Sequence, residues 1–263
     1  MLVRTCRGGS YFGCLRRRFA SVILFCSVFS GGLSHCVVDP KKEEGKWSSL
    51  TTLIFVRHGQ SEANLQKVFA GHTNTPLTEL GHQQAERTAS FLKEYPITHV
   101  YASDLDRAMQ TAEPTAKSHG LSVIPDPGMR EIYAGEWEGR LYEGLMRDFS
   151  KSYETWRKDC GRAHPEGGES VVALSVRIYA EVERILQKHK GECVAIFTHA
   201  TPIRLLRAKW EGYSPEELAQ VEFCANASVS VVDYEDDGSF HVRLCGYDAH
   251  QGELSTSLAK GIV

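Results

Sequence analysis

The chain has 263 residues, of which 42% are hydrophobic and 24% are charged. This composition is typical of a globular protein with a sizeable core, and it excludes disordered, collagenous and multi-span membrane proteins. The formal net charge of −3 is too balanced to indicate a nucleic-acid partner.

The first 50 residues differ in charge from the rest of the chain. They contain eight basic and three acidic residues, a net charge of +5, and no carboxylate precedes residue 39. The order of basic residues, an apolar stretch at 19–29 and small residues fits a signal peptide or signal anchor, whereas the arginine-rich, acid-free composition fits a mitochondrial transit peptide. A third explanation of these residues is an upstream start codon, which would add untranslated or unstructured sequence to the protein.

Two regions are therefore predicted, a targeting or anchor leader with its linker over residues 1–50 and a folded domain over residues 51–263. The domain is expected to be soluble, with membrane contact only through the leader. Without a functional leader the protein would be cytoplasmic.

The eight cysteines fall into two groups, four in the first 36 residues and four scattered beyond residue 159. Neither the cysteines nor the histidines show a zinc-site spacing, so we expect reduced thiols and predict no metal site.

In the first half of the domain, strands and helices alternate. The pattern predicts a buried strand at 51–56, a helix at 78–92, a strand at 99–103 and a helix at 105–118. This order is typical of an α/β protein with a mostly parallel sheet and helices on both faces, a three-layer architecture.

The second half continues the same alternation. Apolar residues at helical spacing begin at Val171 and predict an amphipathic helix that ends at Gly191, and a wholly apolar strand follows at 193–198. Thr201 is predicted to cap the next helix, with Pro202 as its first residue. The stretches 228–234 and 239–246 predict a hairpin at the edge of the sheet.

Polar residues follow three of these strands. In an open parallel sheet, ligands bind beyond the carboxyl ends of the strands, so these residues are the candidates for chemistry. They include arginine, histidine and asparagine side chains, namely Arg57, His58, Asn64, Arg107 and His199. Planar guanidinium groups match phosphate oxygens, and a helix N-terminus adds amide donors, so the predicted ligand is a phosphate group.

Six segments in this order resemble those of the histidine phosphatase superfamily, also called phosphoglycerate mutase-like. They are LIFVRHGQSEAN, TPLTELGHQQAE, YASDLDRAMQTA, REIYAGEWEG, GGES and FTHATPIR. The resemblance covers roughly residues 51–250. It implies the three-layer phosphoglycerate mutase-like fold and phosphoryl transfer through a phosphohistidine.

The resemblance also implies residue roles. His58 would be the nucleophile and Glu131 the proton donor. Glu136 or Glu138 would be the donor instead if the family's motif aligns differently with this segment. The phosphate would be held by the side chains of Arg57, Asn64, Arg107 and His199, together with Ala200 at the start of a helix. No metal or cofactor is implied.

The pocket for the leaving group is predicted less specifically. Gln60, Thr75 and Tyr133 are candidate lining residues, and the variable segment 142–165 is expected to build most of the pocket. Asn74 and Ala200 depart from the family pattern, where an acidic residue and a glycine are usual. These departures leave the substrate open.

The predicted function is a metal-independent phosphomonoesterase that acts on a small phosphorylated metabolite, which would be its partner. A cofactor-dependent phosphoglycerate mutase is the alternative. The family's mutases usually have an aromatic residue where this chain has Ala63, and a longer segment than residues 131–169. A third alternative is an inactive member that serves as an interaction module, although no catalytic histidine or arginine is lost.

Overall fold

The computed structural model describes residues 50–257, so residues 1–49 of the leader and linker predicted over residues 1–50 lie outside the described residues. Six strands form one sheet: β1 (Thr51–Arg57), β2 (His99–Ala102), β3 (Val123–Pro125), β4 (Cys193–Thr198), β5 (Val229–Tyr234) and β6 (Phe240–Tyr247). Their order across the sheet is β3-β2-β4-β1-β5-β6.

The sheet is mostly parallel, as predicted. β1, β2, β3 and β4 run parallel, whereas β5 pairs antiparallel with β1 and with β6. The two central strands, β1 and β4, are buried along their whole length, which explains why they read as continuous apolar runs. The predicted edge hairpin is confirmed as β5 and β6.

Seven α-helices lie in the described part of the chain. They are α1 (Glu62–Gln66), α2 (Glu79–Leu92), α3 (Asp106–Ser118), α4 (Tyr142–Asp148), α5 (Ser150–Lys158), α6 (Val171–Lys188) and α7 (Ala200–Glu211). None of the described helices is long and apolar enough to cross a membrane.

Two hydrophobic cores cover the two faces of the sheet, which gives the predicted three layers. Because side chains alternate along a strand, Leu53 and Phe55 of β1 face one core and Ile54 and Val56 face the other. The first core contains apolar residues of α4 to α7, and the second contains those of α2 and α3. The predicted three-layer α/β architecture is confirmed.

Two predicted helix boundaries are wrong. α6 ends at Lys188, three residues before the predicted end at Gly191. α7 begins at Ala200 with His199 as its N-cap, so Thr201 lies inside the first turn instead of capping it. Pro202 is tolerated there because N–H groups in the first turn of a helix have no intrahelical partner. The consequence is functional, because the helix N-terminus starts directly at the second candidate histidine.

Candidate active site

The carboxyl end of β1 places Arg57, His58 and Gly59 at the edge of the sheet. His58 and Arg57 are both buried. The His58 amide donates to the carbonyl oxygen of Thr198 at 2.9 Å, which joins the end of β1 to the end of β4. At Gly59, a Cβ atom would lie 2.7 Å from the carbonyl oxygen of Gly81, so only glycine fits at this turn.

The hydrogen bonds of His58 fix its tautomer. Its Nδ1 lies 2.7 Å from the carbonyl oxygen of Gly59. A carbonyl oxygen only accepts, so Nδ1 carries the proton and Nε2 keeps its lone pair. Burial, together with the positive charges of Arg107 and Arg57, lowers the pKa of His58 well below its ordinary value. The imidazole is therefore neutral at pH 7, the form in which a histidine is a nucleophile.

His199 packs behind His58. It is fully buried, and its ring meets that of His58 edge-on at a centroid distance of 5.2 Å. Nε2 lies 2.7 Å from Oγ of Ser103, whereas Nδ1 is buried and has no hydrogen-bond partner among the described residues. Burial and the charge of Arg107 lower the pKa of His199 well below its ordinary value, so this ring is also neutral.

Two buried arginines flank the histidines without an ion-pair partner in the described part of the chain. Arg107, the second residue of α3, donates to the carbonyl oxygens of Thr73, Ala70 and Gly71 at 2.8 to 3.0 Å. Arg57 donates to the carbonyl oxygen of Cys224.

Burial lowers the pKa of Arg107 to about 10, and that of Arg57 is also lowered, but both stay charged at pH 7. Neither arginine forms an ion pair among the described residues; both interact with the carboxylate of Glu131, and Arg107 also with that of Glu138, beyond ion-pair distance. This buried positive charge favours an anionic ligand.

Glu131 approaches the site from the segment between β3 and α4. One carboxylate oxygen accepts from the Ile132 amide at 2.9 Å and the other from the Thr201 amide at 3.2 Å, in the first turn of α7. The backbone carbonyl of Glu131 accepts from Arg177 of α6 at 3.1 Å. These contacts hold the carboxylate at the cavity next to the helix N-terminus.

The two alternative carboxylates have other positions. Glu138 accepts from the amides of His72 and Ala134 and from Thr73, so it fixes the loop that supplies carbonyl oxygens to Arg107. Glu136 is exposed. Of these three carboxylates, Glu131 is the one that lines the cavity.

Asn64 is oriented by its neighbours in α1. Its side-chain oxygen accepts from the Ser61 amide at 3.2 Å and from Nδ2 of Asn226 at 3.2 Å. The same Asn226 group donates to the carbonyl oxygen of His58 at 3.1 Å. Because the oxygen of Asn64 is occupied, its amide nitrogen is left to donate into the cavity.

A cavity of about 50 Å³ lies among these groups. Of the residues predicted for catalysis or phosphate binding, His199 is the one that does not line it, and its side chain is fully buried. Several lining residues were not predicted, and they are mostly apolar or aromatic: Ser61, Val68, Phe69, Ala70, Tyr142, Thr201 and Phe223. Trp156 also lines the cavity. Tyr142 and Trp156 come from α4 and α5, within the segment that was expected to build the pocket.

The three predicted pocket residues lie outside this cavity. The side-chain oxygen of Gln60 accepts from Thr78, the N-cap of α2, at 2.9 Å, so it supports that helix end. Tyr133 is 44% exposed and its ring packs against His72. Thr75 is half-buried in the loop before α2.

A larger cavity of about 300 Å³ lies between α6, α7 and the hairpin of β5 and β6. No histidine or arginine is among the described residues that line it. Its two lysines are outnumbered by four carboxylates, those of Glu183, Glu235, Asp236 and Asp237, which disfavour an anionic ligand. The smaller cavity at the strand ends is therefore the candidate active site.

Comparisons with known proteins show the family of the chain. Residues 53–246 match the family model of the histidine phosphatase superfamily, branch 1. The chain is 34% identical over 204 residues to phosphoglycerate mutase-like protein 4 of Arabidopsis thaliana, which covers 76% of this chain and 87% of that one. It is 28% identical over 213 residues to phosphoserine phosphatase 1 of Hydrogenobacter thermophilus, 81% of this chain and 100% of that one.

A solved structure shares the fold. The chain superposes on Bacillus stearothermophilus YhfR with a TM-score of 0.73 and 28% identity, over 76% of this chain and 98% of that one. Residues 53–246, which the family model matches, include every candidate residue of the cavity.

Proposed function

The chain belongs to the histidine phosphatase superfamily, branch 1, and on that premise we propose that it hydrolyses a phosphate monoester of a small metabolite through a phosphohistidine on His58. The observation that carries the proposal is a neutral His58 with a free Nε2 beside two buried arginines that lack carboxylate partners in the described residues. One relative is named a phosphoserine phosphatase, which supports hydrolysis as the class of reaction.

The reaction proceeds in two displacements at phosphorus. Nε2 of His58 attacks the phosphorus atom, the bond from phosphorus to the ester oxygen breaks, and Glu131 in its protonated form gives its proton to the leaving oxygen. In the second step Glu131 takes a proton from water and the water oxygen attacks the phosphorus atom. The bond from phosphorus to Nε2 of His58 breaks, its electron pair returns to Nε2, and inorganic phosphate leaves. Nδ1 keeps its proton throughout, held by the Gly59 carbonyl.

The fixed positive charges stabilise the transferring group. Arg57 and Arg107 lie on its two sides, and the amide of Ala200 at the N-terminus of α7 adds a donor whose dipole favours an anion. Because these groups are held by backbone carbonyls and by packing before the substrate binds, little reorganisation is needed during the reaction.

His58→Ala is the test of the nucleophile. Brief incubation of the native protein with ³²P-labelled monoester, followed by denaturation without acid, should leave a base-stable and acid-labile phosphoprotein. His58→Ala should lose both the label and turnover, whereas His82→Ala, at an exposed histidine, should retain both. Near-normal turnover in His58→Ala would overturn the proposed mechanism.

The mutase alternative has support in the name of a relative, phosphoglycerate mutase-like protein 4. Both reactions share the phosphohistidine, so the outcome depends on whether water or a retained acceptor reaches it first. We expect phosphate release to exceed interconversion of the two phosphoglycerates, measured on one preparation with the bisphosphate cofactor present. Isomerisation faster than hydrolysis by about tenfold, a barrier difference of roughly 1.4 kcal/mol, would assign the protein as a mutase.

A further inference from the structure

A second cluster of ligand-type side chains lies at the amino end of the parallel strands. It consists of His99, the first residue of β2, His189, the C-cap of α6, and Glu192, which precedes β4; we call it the amino-end cluster. The catalytic candidates follow the other ends of the same strands. β4 and its flanking residues separate Glu192 from His199 by about 20 Å.

The three side chains converge on a single point. Nδ1 of His99 lies 2.8 Å from Oε2 of Glu192, and Nδ1 of His189 lies 3.3 Å from the same oxygen. All three ligand atoms lie within 4.8 Å of one another, and the two imidazole rings are 4.1 Å apart between centroids. In a tetrahedral zinc site with ligands at about 2.1 Å, neighbouring ligand atoms are separated by about 3.4 Å. The cluster is therefore within a small side-chain movement of that geometry.

We propose that the amino-end cluster binds one divalent transition-metal ion of the Zn²⁺ type through Nδ1 of His99, Nδ1 of His189 and Oε2 of Glu192. Two imidazoles and one carboxylate are a ligand set that zinc uses in proteins, with a fourth position open to water. Half-exposed His99 and Glu192 leave a route for that water.

Neighbouring groups hold the ligands in place. Nε2 of His189 lies 2.9 Å from the hydroxyl oxygen of Tyr101, which also accepts from Lys188 at 3.0 Å. With the Nε2 proton donated to Tyr101, Nδ1 presents its lone pair to the ion, an outer-shell arrangement common in metal sites. Thr98 donates to Oε2 of Glu192 at 2.9 Å and fixes that carboxylate.

The site would stabilise the fold, although its three protein ligands leave the fourth position to water. Its ligands come from the start of β2, the end of α6 and the residue before β4, so an ion would tie together three segments that otherwise meet only through packing and hydrogen bonds. Its distance from His58 keeps it apart from the phosphoryl chemistry, so the expected metal independence of hydrolysis is unaffected.

The test is calorimetric titration of the chelator-treated full chain with ZnCl₂ in the presence of a non-thiol reductant. His99→Ala and Glu192→Gln each remove one ligand at a half-exposed position. We expect each to weaken zinc binding by at least about tenfold, while His241→Ala, at an exposed histidine of β6, stays within about twofold of the native chain. Native-like affinity in both ligand variants would overturn the proposal.

Cobalt absorption gives a second readout that needs no variant. One equivalent of Co²⁺ bound by nitrogen and oxygen gives visible bands without the intense near-ultraviolet absorption of thiolate ligation. We expect the former. Thiolate bands would place the tightest metal site on cysteines and would overturn the proposal, whereas loss of turnover in His58→Ala bears only on the active site.

Discussion

The two ends of the sheet differ in whether a buried charged side chain has an ion-pair partner. At the amino end, Asp233 of β5 is 5% exposed, but it accepts from Thr52 at 2.7 Å and pairs with Arg243 at 2.9 Å. At the carboxyl end, Arg107 is 1% exposed and its described partners are neutral carbonyl oxygens. Burial of a charge without an opposite charge costs several kcal/mol. At the carboxyl end the carboxylates of Glu131 and Glu138 lie beyond ion-pair distance of Arg107, and we expect a bound phosphate group to offset this cost.

The contrast predicts that one arginine substitution lowers activity and another lowers stability. The loss of activity is the largest effect that we predict. Arg107→Met should lower kcat/KM by about 10³-fold, because it removes a fixed cation from the transferring phosphoryl group. Arg243→Met should leave kcat/KM within about twofold but lower the free energy of unfolding by about 3 kcal/mol, because it leaves Asp233 buried without its counter-charge. Steady-state kinetics and urea unfolding on both variants measure the two effects.

The binding of inorganic phosphate gives a second way to distinguish Arg107→Met from Arg243→Met. Phosphate should raise the unfolding midpoint of the native protein and of Arg243→Met, since it binds the folded site. It should have little effect on Arg107→Met. An equal shift in all three proteins would place the anion site elsewhere.

The second prediction concerns Glu131, the carboxylate among these cations. Glu131→Gln should lower kcat by about 10²-fold for an alkyl phosphate, whose leaving oxygen needs a proton. The loss should be smaller for an activated aryl phosphate, while Glu136→Gln, at an exposed carboxylate, should behave as the native enzyme. If Glu131→Gln loses the same factor on both substrates, Glu131 positions other groups instead of donating a proton.

The third and smallest effect is a pH dependence of stability from His58. Its pKa is held well below the ordinary 6.5 by burial and by the two arginines, so the folded state keeps it neutral. Below pH 6.5 the unfolded chain binds the proton and the folded one does not, so stability falls as the pH falls. The contribution is at most about 1.4 kcal/mol per pH unit.

Urea unfolding at pH 7, 6 and 5 measures this contribution as a difference between proteins. His58→Asn should lose less stability on acidification than the native chain, and His82→Asn should match the native chain. His250, whose pKa burial lowers to about 4, contributes equally to all three proteins. An unchanged pH slope in His58→Asn would mean that His58 is not buried as a neutral group.

Much of the fold was predictable because its signals are local. Each buried strand appears as an apolar run, and helix α6 appears as apolar residues at helical spacing, so their types and most of their bounds follow from a few neighbouring residues. The short edge strand β3 and the helices α1, α4 and α5 were not predicted. They are short, so they carry no clear periodic pattern of apolar residues. Their stability comes from packing against the rest of the domain.

For the site, the sequence by itself determined that arginines and histidines follow the buried strands, since a residue's position after a strand is a local property. Only the tertiary structure decided that Glu131 meets the N-terminus of α7, that Asn226 orients Asn64, and that Gln60 turns to Thr78 away from the cavity. The first two contacts join residues 70 and 162 positions apart. The physical reason is that contacts between distant residues depend on how the layers pack against the sheet, and no short window of sequence contains that information.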